Sequence, residues 1–327
     1  MPLSAIITGT GSHLPEKRLT NADLATLVET NDEWITQRTG IKERRIASKS
    51  ESTASLASQA SSKALHAAGI ESKDIDLIIC ATITPEMVTP STACFVAHSL
   101  GLSKTPAMDL SAACSGFVYA LDTAAAFIKS GRFKNVLVVC SETLSRITDY
   151  QDRGSCILFG DGAGAVVVSR SEEEGRGLLY SSMQADGGGW ELLYCQPGSR
   201  HPIDKVMVDG RQQYLKLRGR EVFKFAVGRF AELLNDAVAK TGILKEQIKL
   251  VIPHQSNLRI IEASMDKIGL PLDRALVNIE RYGNTSAASI PIALDEAVRG
   301  GKLKKGDVAV FIAIGAGLTW ANAVVRM

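Results

Sequence analysis

The chain has 327 residues, 45% of them hydrophobic and 22% charged, and its 37 Lys and Arg against 35 Asp and Glu leave a net charge of +2. That is the balance of a soluble globular protein long enough for two domains or one duplicated unit, with too little charge to point to a nucleic-acid partner. No apolar run approaches the ~20 residues that cross a bilayer, and the opening Met1-Pro2-Leu3-Ser4-Ala5 carries neither a basic n-region nor a cleavage site, so the expectation is a cytoplasmic protein.

In chain order, residues 4–8 read as a short strand that ends in Gly9-Thr10-Gly11. Asn21 and Asn31 are suited to cap two short helices, the second closed by Gly40. A small-residue helix is expected over 54–68, stopping at Gly69, then a buried strand over 75–80. A helix over 92–100 stops at Gly101, a short strand follows at 107–110, and 114–128 reads as an apolar helix ending near Gly131. Further strands are expected at 135–140 and 163–169. Alternating strands and helices with apolar runs argue an α/β fold around a buried sheet.

The second half repeats this plan. Gly242-Ile243, Ile248 and Leu250 stand 173 positions after Gly69-Ile70, Ile75 and Leu77, and Ala293-Leu294-Asp295 stands at the same offset from Ala120-Leu121-Asp122. Gly101-Leu102 and Gly269-Leu270 are offset by 168, which implies one short length change. A duplicated α/β unit accounts for the shared order, with its boundary near the charged stretch Ser171–Gly175, so that residues 1–172 and 173–327 form two halves. The 173-residue offset maps Cys114 onto Ala287, beside Asn284.

Six scattered cysteines without C-x-x-C, and five histidines of which no two lie three or four residues apart, give no metal spacing and suit a reducing compartment. Cys114 stands apart: it follows a strand, lies among Ser111-Ala112-Ala113 and Ser115-Gly116, and opens a helix. A thiol there faces the positive end of the helix macrodipole, which is expected to lower its pKa, although a buried structural cysteine is the other reading. His254, closing the strand 249–253, reads equally as a hydrogen-bonded structural histidine, and Asn284 as a turn or cap residue. Gly9-Thr10-Gly11 lacks the third glycine of a dinucleotide fingerprint, and Gly160-Asp161-Gly162-Ala163-Gly164 leads into a strand where that fingerprint opens a helix.

Taken together the motifs resemble the β-ketoacyl-[acyl carrier protein] synthase III family of the thiolase superfamily, over nearly the whole chain. The resemblance rests on Asn31-Asp32-Glu33-Trp34-Ile35 with Arg38-Thr39-Gly40-Ile41, Ala112-Ala113-Cys114-Ser115-Gly116-Phe117 and Asp152-Arg153-Gly154. It continues in Phe159-Gly160-Asp161-Gly162, Pro253-His254-Gln255, Gly283-Asn284-Thr285-Ser286-Ala287-Ala288-Ser289 and Gly315-Ala316-Gly317. It implies a thiolase-like five-layered αβαβα fold of two similar halves, normally a homodimer.

It also implies a chemistry. The Cys114 thiolate takes the acyl group of an acyl-CoA. Malonyl-[acyl carrier protein] then loses CO2, and its carbanion attacks the acyl thioester to give 3-oxoacyl-[acyl carrier protein]. His254 and Asn284 would donate hydrogen bonds to the enolate, and the backbone N–H groups of Cys114 and Ala316 would form a second oxyanion hole. No cofactor is implied, the CoA thioester being a substrate. By the same resemblance Thr30, Trp34, Arg38, Arg153, Gly219, Phe223, Ser256 and Asn257 contact CoA, with Trp34 and Arg153 sandwiching the adenine. Arg259, with Lys224 and Lys267, would dock the acidic carrier protein, the two lysines reading equally as solvated surface. Thr89, standing where short-chain members have Phe, would open the acyl pocket across the dimer. A priming enzyme of secondary metabolism shares these motifs, and a non-catalytic acyl-CoA-binding protein is the reading from another class.

Overall fold

A computed structural model describes residues 3–327, so Met1 and Pro2 lie outside the described residues. Two sheets organise it. The first has the strand order Ser4–His13, Gly162–Ser171, Asn135–Glu142, Leu77–Ala81, Ala107–Leu110. The second has the order Gly177–Ala185, Thr319–Arg326, Val308–Gly315, Ile248–Pro253. The two orders are the same topology, and the place of Ala107–Leu110 is held in the second sheet by a single parallel bridge from Val251 to Ala275. Ser4 and Gly177, Asn135 and Val308 begin equivalent strands 173 residues apart, whereas Ala107 and Ala275 differ by 168, which locates the length change.

Period-two alternation explains how each sheet is covered on both faces. Leu77, Ile79 and Ala81, with Val136, Val138 and Cys140, face one core; Ile78, Cys80, Leu137 and Val139 face another. In the second sheet Ala309, Phe311 and Ala313 join the first of these cores, while Val308, Val310 and Ile312 face a third. The shared core is filled by the helices Gly116–Lys129 and Ser289–Arg299, packed between the sheets. Thr53–Ala68 and Thr92–Ser99 cover the first sheet from outside, and Gly219–Thr241 and Leu258–Lys267 cover the second. The result is a five-layered αβαβα stack of two like halves.

Local chemistry sets the helix ends. Ser52 caps Thr53–Ala68 through a capping box with Ser55, and Gly69 ends it in the left-handed region at φ 68°. The first strand does not stop at Gly9-Thr10-Gly11 but runs on to His13. Both glycines lie under that helix, where a Cβ would run into the carbonyls of Ala64 and Ala60, so they serve close packing and not a turn. Asn21 is not a cap: Thr20 caps the short helix Asn21–Leu24, and the buried Asn21 side chain bonds Asp32 and the Ile41 carbonyl instead. The buried strand begins at Leu77, because 72–74 form a one-turn helix. Among the described residues no helix is long and apolar enough to cross a membrane.

Candidate active site

The two central helices start from matching turns. Ala113–Ser115 and Ser286–Ala288 are one-turn 3-10 helices 173 residues apart, leading into Gly116–Lys129 and Ser289–Arg299. Each begins with a non-glycine residue in the left-handed region, Ala113 at φ 47° and Ser286 at φ 49°. Such strain of about 1–3 kcal/mol persists only where the surroundings over-determine the backbone. The turns pack against each other at Gly116, where a Cβ would stand 3.0 Å from the Ala81 methyl and 3.1 Å from that of Ala287.

Cys114 therefore sits in the turn before the helix and is only 7% exposed. Its thiol is not acidified as expected. Burial pushes it up to about 12, outweighing the opposing effect of the Ser286 hydroxyl, and the nearby Glu142 carboxylate adds to the rise. Desolvation of the anion dominates the helix terminus here. At Gly315 a Cβ would lie 2.7 Å from the Cys114 backbone nitrogen, so the absent side chain leaves that N–H open.

His254 follows the strand Ile248–Pro253, its N–H donating to the Ile312 carbonyl at 2.8 Å, and is 6% exposed. Burial lowers its pKa to about 3, so the imidazole is neutral. Its Nδ1 lies 2.7 Å from Ser289 Oγ, which also accepts from the Gln255 N–H at 3.3 Å. A Ser289 hydroxyl that donates to Nδ1 goes with a ring proton on Nε2, the tautomer that offers a donor to a ligand.

Asn284 is 7% exposed and is held from both halves. Its N–H donates to Leu158 O at 2.8 Å, and its carbonyl accepts from Gly160 N–H at 3.0 Å. Glycine at 160 is required because a Cβ would collide with the Tyr282 carbonyl, which gives the Gly-rich segment a packing role. Asn284 Oδ1 accepts from Ser286 N–H at 2.9 Å, so the turn role foreseen for this residue is real and also fixes the amide with its NH2 outward.

A cavity of about 540 Å³ brings Cys114, His254, Asn284 and Gly315 together with Trp34, Arg38, Gly219, Phe223, Ser256, Asn257 and Arg259. Thr30, Thr89, Arg153, Lys224, Lys267 and Ala316 are not in its lining. Arg38 and Arg153 each place a guanidinium 4.7 Å from the Trp34 ring, so a planar group between Trp34 and Arg153 requires the Arg153 side chain to swing out. Asn257 caps the helix Leu258–Lys267 with its Oδ1 and donates to Arg38 O at 3.0 Å, which joins two sides of the mouth. The Thr30 hydroxyl is buried and has no hydrogen-bond partner among the described residues. Lys224, Arg259 and Lys267 are exposed and have no carboxylate partner among the described residues. Thr89 is exposed on the loop beside Met87 and Val88. Among the described residues no cluster of His, Cys, Asp and Glu is arranged to hold a metal.

Sequence reasoning missed Ser289 and Glu142. Ser289 stands in a quoted motif without a role, and its signal was the half-to-half offset, which maps it onto Gly116 at the start of the paired helix. Glu142 is fully buried at the end of Asn135–Glu142, and a carboxylate closing a run of buried apolar residues was the available signal.

Family models described as 3-oxoacyl-[acyl-carrier-protein (ACP)] synthase III and its C-terminal part match residues 108–187 and 238–327. The chain is 50% identical over 325 residues to a β-ketoacyl-[acyl-carrier-protein] synthase III of Caldanaerobacter subterraneus subsp. tengcongensis, covering 99% of this chain and 98% of that one. The crystal structure of 3-oxoacyl-[acyl-carrier-protein] synthase III from Aquifex aeolicus VF5 superposes with a TM-score of 0.92 at 49% identity, covering 99% and 100% of the two chains. The priming β-ketosynthase of the R1128 polyketide pathway superposes at 0.93 with 35% identity, covering 99% and 96%.

Proposed function

The chain belongs to the 3-oxoacyl-[acyl-carrier-protein] synthase III family and is a condensing acyltransferase of fatty-acid synthesis; we propose that it joins an acyl-CoA primer to malonyl-[acyl carrier protein] through a Cys114 acyl-enzyme. The observation that carries this reading is one cavity in which a thiol from the first half, residues 1–172, faces two neutral donors from the second, residues 173–327.

The division of labour follows from the protonation states. Cys114 sulfur attacks the thioester, and the N–H groups of Cys114 and Ala316 receive the developing oxyanion. Malonyl decarboxylation then generates the carbanion, so no base is needed to remove a carbon-bound proton and the reading calls for no cofactor. His254, neutral and protonated on Nε2, and the Asn284 NH2 stabilise the enolate. One such donor is worth ~3 kcal/mol in the transition state. Collapse of the tetrahedral adduct releases 3-oxoacyl-[acyl carrier protein] and frees Cys114.

The same reading assigns Trp34, Arg38 and Arg153 to the nucleotide of CoA, with Thr30 supplying a hydroxyl that none of the described residues uses. Gly219, Phe223, Ser256 and Asn257 line the path inward. Arg259, Lys224 and Lys267 give the mouth side an unpaired positive surface suited to an acidic carrier protein. The exposed Met87 and Val88 support a homodimer in which this loop is covered.

Mass spectrometry after exposure to acyl-CoA is expected to find one acyl group, on Cys114. Adding malonyl-[acyl carrier protein] should then discharge it with release of CO2. Acylation at Cys80, Cys94, Cys140, Cys156 or Cys195 would overturn the assignment.

A further inference from the structure

Arg44 is the largest fully buried side chain among the described residues. It belongs to the short strand Glu43–Arg45, which pairs antiparallel with Arg18–Thr20. That two-stranded ribbon closes the segment that carries the helix Asp32–Thr39, and with it Trp34 and Arg38. Among the described residues the Arg44 guanidinium makes no salt bridge. A buried cation without a carboxylate is costly, and it persists only where hydrogen bonds hold it. Burial lowers its pKa to about 10, which leaves it charged at neutral pH.

The acceptors that hold it come from two walls of the site. Nη1 donates to the Leu19 carbonyl at 3.1 Å and to Asn21 Oδ1 at 2.9 Å. Asn21 in turn donates from Nδ2 to Asp32 Oδ1 at 2.8 Å and to the Ile41 carbonyl at 2.7 Å. It thereby ties the start of the helix Asp32–Thr39 to the chain just past its end. Nη2 points the other way and donates to the Ile157 carbonyl at 2.6 Å. Ile157 lines the cavity, and the next carbonyl, that of Leu158, receives the Asn284 N–H. The Arg44 stem completes the joint. A Cβ at Gly160 would stand 3.1 Å from Arg44 Cβ and one at Gly283 would stand 3.2 Å from it, so the stem lies against the glycines next to the Phe159–Asn284 bridge.

We propose that Arg44 is a positioning residue that fixes Asn284 and its turn relative to the helix of Trp34 and Arg38. This rests on the reading above, in which that helix contacts CoA and Asn284 serves decarboxylation. Arg44 does not line the cavity and acts through the carbonyls it holds. A planar guanidinium suits the task because its fork donates in two directions at once, whereas an ammonium is a single point of charge. The nucleophile turn has a separate anchor. Thr319 Oγ1 lies 3.1 Å from both the Ala112 carbonyl and Ser115 Oγ, on either side of Cys114. Loss of Arg44 therefore disturbs the nucleotide wall and Asn284 while leaving the attacking sulfur in place.

The test compares the wild-type protein with Arg44→Met, Asn284→Ala and the double variant. Three quantities are read: the KM for acyl-CoA in Cys114 acylation, the acylation rate at saturating acyl-CoA, and CO2 release from malonyl-[acyl carrier protein] by pre-acylated protein. Arg44→Met is expected to raise that KM and to slow CO2 release, each ~10-fold or more, which is within the reach of a misplacement of about 1 Å. The saturated acylation rate should not change. In the Asn284→Ala background the Arg44 substitution should slow CO2 release no further, because the two act through one group. Arg44→Lys keeps the charge and the stem and serves where Arg44→Met does not fold; it should show the same split at smaller size. A wild-type KM or a wild-type rate of CO2 release in a folded Arg44 variant would overturn the joint. Equal loss in all three quantities, or full additivity in the double variant, would overturn it too and make Arg44 a residue of folding alone. A folded Asn284→Ala that releases CO2 at the wild-type rate would instead overturn the role of Asn284 on which the proposal rests.

Discussion

At the scale of single residues, the decisive facts are protonation states, and these depend on partners that no linear motif displays. In the proposed reading Ser289 donates to His254 Nδ1 and keeps the ring proton on Nε2, so Ser289→Ala should leave acylation of Cys114 nearly unchanged while slowing CO2 release ~10-fold or more, since an imidazole free to carry its proton on Nδ1 presents no donor to the enolate. Stopped-flow CO2 release beside acylation mass spectrometry separates the two steps, and equal loss in both would assign Ser289 to folding. Glu142 makes a second prediction, on stability. Its folded pKa, about 7, lies above its ordinary 4.5, so the unfolded chain ionises first and stability falls as pH rises between the two values. The penalty is absent below about pH 4.5 and complete above about 7, where it amounts to about 3 kcal/mol. Glu142→Gln should therefore be the more stable protein at pH 8 by up to that amount and match the wild type near pH 4.5, as read by urea unfolding at both pH values. His254 works in the opposite direction: its depressed pKa costs stability as pH falls below 6.5, equally in both proteins. The motifs made Cys114, His254 and Asn284 legible. The sign of the Cys114 shift was not, because helix-terminus reasoning sees the dipole and misses the depth of burial.

At the scale of elements, the half-to-half offset carried more information than any single motif. It predicted two equivalent loop-to-helix junctions, and both proved to be strained one-turn helices feeding the central helical pair. What it could not predict is that glycines act as clearances. Gly9 and Gly11 looked like the end of a strand and Gly160 like part of a Gly-rich lead-in to one, yet each removes a Cβ from a place where backbone passes close by. Such contacts join segments distant in sequence, and local propensity has no term for them. Gly315 is the position of this kind nearest the chemistry. Gly315→Ala would press a methyl toward the Cys114 N–H, at 2.7 Å before relaxation. The backbone there is ordinary strand, so the variant should fold with a loss of about 1–3 kcal/mol. Acylation should slow by 10²–10³, the usual effect of removing one oxyanion donor. A folded variant that acylates at the wild-type rate would exclude that N–H from the oxyanion hole.

At the scale of the whole molecule, Cys114 comes from one half and His254 and Asn284 from the other, so the cavity they share, and with it the proposed division of labour, exists only because two duplicated units pack face to face across their central helices. The acyl pocket carries this one step further. Thr89 does not line the cavity of its own chain and stands exposed beside Met87 and Val88, two apolar side chains that water does not favour. In the proposed homodimer, Thr89 of a second copy closes the far wall, and the chain-length preference becomes a property of the pair. Thr89 is small where an aromatic ring would fill the pocket, so a primer longer than acetyl gains contact, about 0.8 kcal/mol for each methylene that finds apolar surface. That is roughly a fourfold gain in kcat/KM per added carbon until the pocket is full. Thr89→Phe should reverse the order by overpacking the pocket, suppressing medium and branched acyl-CoA while sparing acetyl-CoA. The measurement is kcat/KM across a chain-length series in both proteins, together with sedimentation to fix the oligomeric state. An acetyl-CoA optimum in the wild-type protein that Thr89→Phe leaves unchanged would remove Thr89 from the pocket, and full activity in a sedimenting monomer would remove the second copy from the site.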